Sequence, residues 1–163
     1  MNLEVICMEE LMKKLDKKLK VTSYEYMDDL LFINIERTNK SDICPCCGKK
    51  STNIHSKYIR TIKDLPIQEY KVILNIKAKI FFCKNKSCSV NTFAEQFDFI
   101  ESHSRITTRL KNKIVDDAKG MSARASKKTI NKSVAKISDD TILRLLKKTI
   151  LKIKKEEIKV EPI

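Results

Sequence analysis

Tyr70-Lys71-Val72-Ile73-Leu74-Asn75-Ile76-Lys77-Ala78-Lys79-Ile80-Phe81-Phe82 leads directly into Cys83-Lys84-Asn85-Lys86-Ser87-Cys88. Val72, Leu74, Ile76, Ala78, Ile80 and Phe82 alternate with Lys71, Ile73, Asn75, Lys77, Lys79 and Phe81. A period of two predicts a strand, and this one ends on a C-x4-C turn. Upstream, Cys44-Pro45-Cys46-Cys47-Gly48 is a C-x2-C followed by glycine. That is the spacing of a zinc knuckle: the turn aims two thiolates at one point, and glycine tolerates the backbone this requires. The 35 residues between the two pairs leave room for a pair of strands. Cys44, Cys47, Cys83 and Cys88 together would close a tetrahedron around Zn2+ with no position open to water, so the metal is structural. The stretch is therefore read as a zinc ribbon, a sheet clamped at one end. Scattered buried thiols are the plainer alternative, but two tight pairs bracketing a strand are not expected by chance.

Working outward, the two further cysteines and the histidines add little. Cys46 is the spare, either facing solvent or serving as an alternative ligand. Cys7 reads as a core thiol. His55 reads as a surface or core histidine rather than a fifth ligand, and His103 has no partner pattern. The sequence contains no H-E-x-x-H or H-x-E pattern of the kind a catalytic zinc uses.

Composition removes several classes. The chain has 163 residues and only two glycines, Gly48 and Gly120, so glycine-rich nucleotide loops are excluded by counting. No uncharged apolar run is long enough to span a membrane. The start shows no basic and apolar leader, so the expected location is cytoplasmic, a reducing compartment where clustered cysteines hold metal.

The net charge of +13 is unevenly spread. Residues 1–40 carry −1, 41–103 carry +4, 104–155 carry +12 and 156–163 carry −2. A compact basic segment is the electrostatic footprint of a polyanion binder. Nucleic acid is preferred over a membrane surface because no segment pairs a basic face with exposed aromatics.

Before the ribbon, residues 8–20 read as an amphipathic helix with Met8, Leu11, Met12, Leu15 and Leu19 on one stripe. Leu30–Ile35 is apolar enough for a strand, and residues 38–56 read as turn-rich. After the ribbon the pattern turns helical. Ile106, Leu110, Ile114 and Ala118 mark a first helix that Gly120 can end. Ser122 caps a second, and Ser138 a third, with Asp139 and Asp140 favourable in its first turn. Three short helices with a basic last one fit a helix-turn-helix whose third element lies in the major groove. The plainer reading is a three-helix bundle with a solvated lysine face; the +12 surplus favours DNA. Arg105, Arg109, Arg124, Lys127, Lys128, Arg144, Lys147 and Lys148 are the candidate contacts to double-stranded DNA. One feature opposes this: Asp139 and Asp140 at the base-reading end would repel phosphate.

The fold class is thus α+β: residues 1–40 an N-terminal helix and strand, 41–103 the zinc ribbon, 104–155 the helix-turn-helix, and 156–163 a linker. Cys44-Pro45-Cys46-Cys47-Gly48, His55-Ser56-Lys57-Tyr58-Ile59-Arg60, Asp64-Leu65-Pro66, Phe81-Phe82-Cys83, Cys88 and Phe93-Ala94-Glu95 resemble the N-terminal zinc finger of ISL-three family insertion-sequence transposases. Arg105-Ile106-Thr107 and Ser138-Asp139-Asp140-Thr141-Ile142-Leu143-Arg144-Leu145-Leu146 resemble that family's helix-turn-helix. The resemblance implies recognition of the terminal inverted repeats of an insertion element. It also implies a separate ribonuclease-H-like domain that does the cutting, beginning after Glu157-Ile158-Lys159-Val160-Glu161-Pro162. Asp28, Asp29, Asp64, Asp116 and Asp117 lie in the wrong region to be its carboxylate triad, so no transposition activity is expected of this polypeptide alone, whether it is a remnant or a regulator. Asp64 is expected to fix a turn. A second copy of the chain, or a full-length transposase, is the implied protein partner. A zinc-ribbon protein-interaction domain with merely solvating lysines is the alternative, and a small nuclease a third.

Overall fold

The computed structural model of the chain describes residues 3–119 and 122–157. In chain order these form α1 (Leu3–Lys13), β1 (Leu19–Met27), β2 (Leu30–Arg37), β3 (Asp42–Ile43), β4 (Lys50–Ser51), β5 (Ile54–Ile67), β6 (Tyr70–Phe82), β7 (Thr92–Ala94), α2 (Thr108–Ala118), α3 (Ala123–Ser133) and α4 (Asp139–Glu157). The protein is mixed α and β, sheet-rich first and helical afterwards. Among the described residues no helix is long and apolar enough to cross a membrane. Gly120 and residues 158–163 of the expected linker lie outside the described residues, while residues 156 and 157 belong to α4.

The expected strand is β6, and it organises the sheet. β5 runs antiparallel along one edge from Ile54 to Ile67. The other edge is shared: β2 lies parallel over Lys71–Lys77, and β7 pairs antiparallel with Ile80–Phe82. With β1 outside β2, the order is β1-β2-β6-β5. Residues before and after position 40 therefore share one sheet. Val72, Leu74, Ile76 and Ala78 of β6 bury against Leu31, Ile33 and Ile35 of β2, under Met8, Leu11, Met12 and Leu15. Phe97, Phe99 and Ile100 complete this core. The strand's inward phase does not persist to its end. Phe81 is buried and Phe82 is 44% exposed, so by the two-residue period the core changes face where β6 passes from β2 to β7. There Phe81 stacks on Phe93 at 5.7 Å beside Cys44.

Two sequence expectations change. The first helix stops at Lys13 rather than near residue 20. Asp16 turns the chain: its Oδ1 accepts the Lys18 N–H at 2.9 Å and its Oδ2 lies 2.6 Å from Arg37 Nε. A side chain that satisfies its own neighbouring backbone competes with the helix. Leu19 is consequently the first residue of β1, buried as the stripe required but by a strand. The region 38–56 is turn-rich through the first knuckle, yet the 14-residue β5 begins within it. No alternating pattern announces β5, because Lys57, Arg60, Lys63 and Asp64 fall on both of its faces.

The helices α2, α3 and α4 pack around Leu110, Ile114, Ala118, Ile130, Val134, Ile137 and Ile142. Thr107 caps α2 by accepting the Leu110 N–H. Ser122 caps α3 through Ala125, and the Ser138 hydroxyl accepts the Thr141 N–H at 3.3 Å at the start of α4. These caps satisfy amide groups that a helix leaves without partners.

Candidate metal centre and nucleic-acid interface

Two turns built on different devices aim the thiols. In the first, the short β3–β4 pair closes over the knuckle, Cys44 N–H donates to Lys49 O, and Gly48 N–H donates to Cys44 O, both at 2.9 Å. Gly48 has φ +72°, and a Cβ there would meet nothing within 4 Å, so the backbone conformation alone calls for glycine. In the second, Cys83 N–H donates to Asn91 O, Cys88 N–H donates to Asn85 O, and Asn85 Oδ1 accepts from Ser87 N–H. β5 and β6 are the pair of strands that carry one turn to the other.

The result is a four-sulfur cluster of Cys44, Cys47, Cys83 and Cys88, with all Sγ atoms within 4.8 Å of one another. Cys44 and Cys88 are 3.9 Å apart, and Cys47 and Cys83 3.6 Å. A tetrahedron with metal–sulfur bonds of about 2.3 Å has edges of about 3.8 Å, so the spacing fits Zn2+. Hydrogen bonding from the Lys49 backbone amide pulls the Cys47 thiol down to about 6. At Cys88 the Val90 amide favours the thiolate. Burial and then the neighbouring thiols outweigh it and push that group up to about 12. Four thiols this close cannot all ionise unaided; a divalent cation makes four thiolates compatible. Cys44, Cys47, Cys83 and Cys88 would hold the ion, which would supply structural closure with every ligand position taken by protein. Cys46 is exposed and touches Ser89 at 3.2 Å, outside the cluster. His55 is exposed, bonded to Ser56 and edge-on to Phe82. Cys7 is exposed rather than a core thiol: it lies on α1 away from the Met8–Met12 stripe that meets the sheet.

Residues 40–88 match the family described as the zinc-finger of transposase IS204/IS1001/IS1096/IS1165. That stretch of the chain, which holds three of the four clustered cysteines and ends on the fourth, Cys88, is similar to a transposase zinc finger. A curated relative, the transposase for insertion sequence element IS1001 of Bordetella parapertussis, is 30% identical over 80 residues. That alignment spans 49% of this chain and 19% of the relative, so the chain covers about a fifth of that protein's length. No solved structure matches. The matched stretch thus spans all four cysteines of the metal centre. The basic residues that follow it need their own accounting.

The eight basic candidates separate by partner. Arg109 is committed: its Nε donates to Asp64 Oδ1 at 2.8 Å and its Nη2 to Oδ2. Lys127 pairs with Asp139 at 3.3 Å, and Lys148 with Glu101 at 2.9 Å. Arg105, Arg124, Lys128, Arg144 and Lys147 are exposed, and none has a carboxylate partner among the described residues.

Asp64 itself is a correction. It lies inside β5, fully buried, rather than fixing a turn, and it also accepts from Thr107 Oγ1 at 2.6 Å. Beside it Lys63 N–H donates to Arg105 O, and Thr107 N–H donates to Lys63 O. The Asp-Leu-Pro motif therefore fastens the helical unit to the ribbon's outer strand. Sequence reasoning missed this because the partners lie 43 and 45 residues apart.

Proposed function

We propose that the chain is a DNA-binding module of a transposase, recognising the terminal inverted repeats of an insertion element in duplex DNA without cutting it. The ribbon and the α2–α4 unit act together, with α4 as the helix that enters the major groove. The observation that carries the reading is α4 itself. On a chain with a transposase zinc finger, it packs on α2 and α3 through Ile142 and leaves Arg144 and Lys147 exposed with no carboxylate partner among the described residues. Four of the five acids set aside in the sequence pair with basic side chains. Asp29 holds Lys71, Asp64 holds Arg109, Asp116 holds Lys119 and Asp117 holds Lys113.

The test is equilibrium binding of a labelled duplex by the zinc-loaded protein across roughly 50 to 200 mM salt. Each neutralised phosphate contributes a log–log slope of about −0.9, so ~5 contacts give about −4.5. A second reading has one observation in its favour. Ile43, Ile54, Ile59 and Phe82 on and around the ribbon strands are all more than 40% exposed, which suits a protein-interaction ribbon. That reading requires binding to duplex that is absent or insensitive to salt.

A further inference from the structure

The fastening of the helical unit to β5 leaves a cleft of about 1010 Å3 between them. One wall is β5 from Tyr58 to Lys63 with the 102–106 loop, and the other is the α3–α4 connection and the start of α4. Ser138 just before α4 and Thr141, Arg144 and Leu145 within it line the cleft, but Asp139 and Asp140 do not. Asp139 is held by Lys127, while Asp140 stands one turn before Arg144 on the same side of α4. Neither acid lines the cleft, and one of the two is paired with a lysine.

The cleft is electropositive in a particular way. Arg60, Lys63, Arg105, Lys136 and Arg144 all line it, and none has a carboxylate partner among the described residues. Arg60 is held by carbonyls instead, donating to Glu101 O at 3.2 Å and Ser104 O at 2.9 Å. Lys63 Nζ donates to Lys136 O at 2.5 Å. Carbonyls orient these cations without cancelling their charge. The acid in the wall, Glu95, is buried and faces Lys79 at 3.7 Å.

We propose that this cleft seats one sugar–phosphate strand of the duplex, so that a β5 wall and an α4 wall grip the same backbone. This rests on the DNA-binding reading above. A helix seated in a major groove about 12 Å wide has a phosphate strand along each side, and the cleft runs beside the α4 residues that would read the groove. The ribbon is then part of the DNA site, and Arg60, Lys63 and Lys136 join contacts that the helices alone would not supply.

The experiment compares salt slopes for native protein, Arg105→Ala/Lys136→Ala, Lys128→Ala/Lys147→Ala outside the cleft and the control Lys17→Ala/Lys18→Ala, all on the full zinc-loaded chain. Arg105 and Lys136 accept internal hydrogen bonds at their backbone carbonyls, so alanine leaves those bonds intact; zinc content and melting verify folding. The cleft pair should flatten the slope by about 2, while the control pair, with the same charge change, leaves it unmoved. If the Lys128/Lys147 pair flattens the slope and the cleft pair does not, the cleft proposal is overturned and the DNA reading stands. If native protein binds no duplex at any salt, both fall.

Discussion

Asp64 is fully buried and Arg109 is 34% exposed, and that inequality gives their interaction a direction. Removing the arginine strands a carboxylate in the interior with only Thr107 to donate to it. Removing the aspartate leaves a guanidinium that can turn toward water. Breaking a buried pair costs about 3–5 kcal/mol when the remaining charge stays buried. Arg109→Ala is therefore expected to lose about 3 kcal/mol, and Asp64→Ala less, with the double variant falling well short of the sum. Urea unfolding of the three proteins measures this. Equal losses that add would show that the two side chains do not act on each other. At the metal, Cys44→Ser should bind substoichiometric zinc and lose the ribbon, whereas Cys46→Ser should keep one zinc per chain. Metal analysis after gel filtration separates them, and a zinc-replete Cys44→Ser would remove that residue from the ligand set.

At the scale of elements, what could be read from sequence was what is local. β6 declares itself by alternation, and α3 and α4 by Ser122 and Ser138, because a strand's period and a helix cap involve neighbours within a few residues. β5 did not, since what makes it a strand is β6 on one edge and Lys63 bonding to residues 105 and 107 on the other. The same distance hid the end of α1, which depends on Arg37 reaching Asp16. One element contact should depend on pH. Hydrogen bonding from Lys111, then from Lys148 of α4, holds the Glu101 carboxyl below its usual range. A depressed carboxyl contributes stability above its unfolded value, near pH 4.3, and that contribution is lost as pH falls through the lower folded value. Acid also protonates the zinc thiolates, so the readout is a difference. Glu101→Gln should lower stability relative to native at neutral pH, with the gap closing below about pH 4. A gap that stays constant with pH would mean the ion pairs contribute nothing.

Across the whole molecule, the zinc site was legible and the interface was not. Four cysteines announce a metal by spacing alone, and the fold brings their sulfurs together as that spacing requires. A basic surface announces only its sign. Of eight cations chosen by charge and helix position, Arg109, Lys127 and Lys148 turned out to face carboxylates. Arg60 entered only as the last residue of a resembling motif and Lys63 and Lys136 not at all, because nothing in their local sequence shows that β5 and the α3–α4 connection face each other. The account makes the chain one sequence-reading unit rather than a ribbon with a charged tail. Its most direct test is selection of duplexes from a random library by zinc-loaded protein, at low and at physiological salt. The account predicts an enriched motif that survives the higher salt and matches the ends of an insertion element. Retention of no duplex at either salt would contradict it.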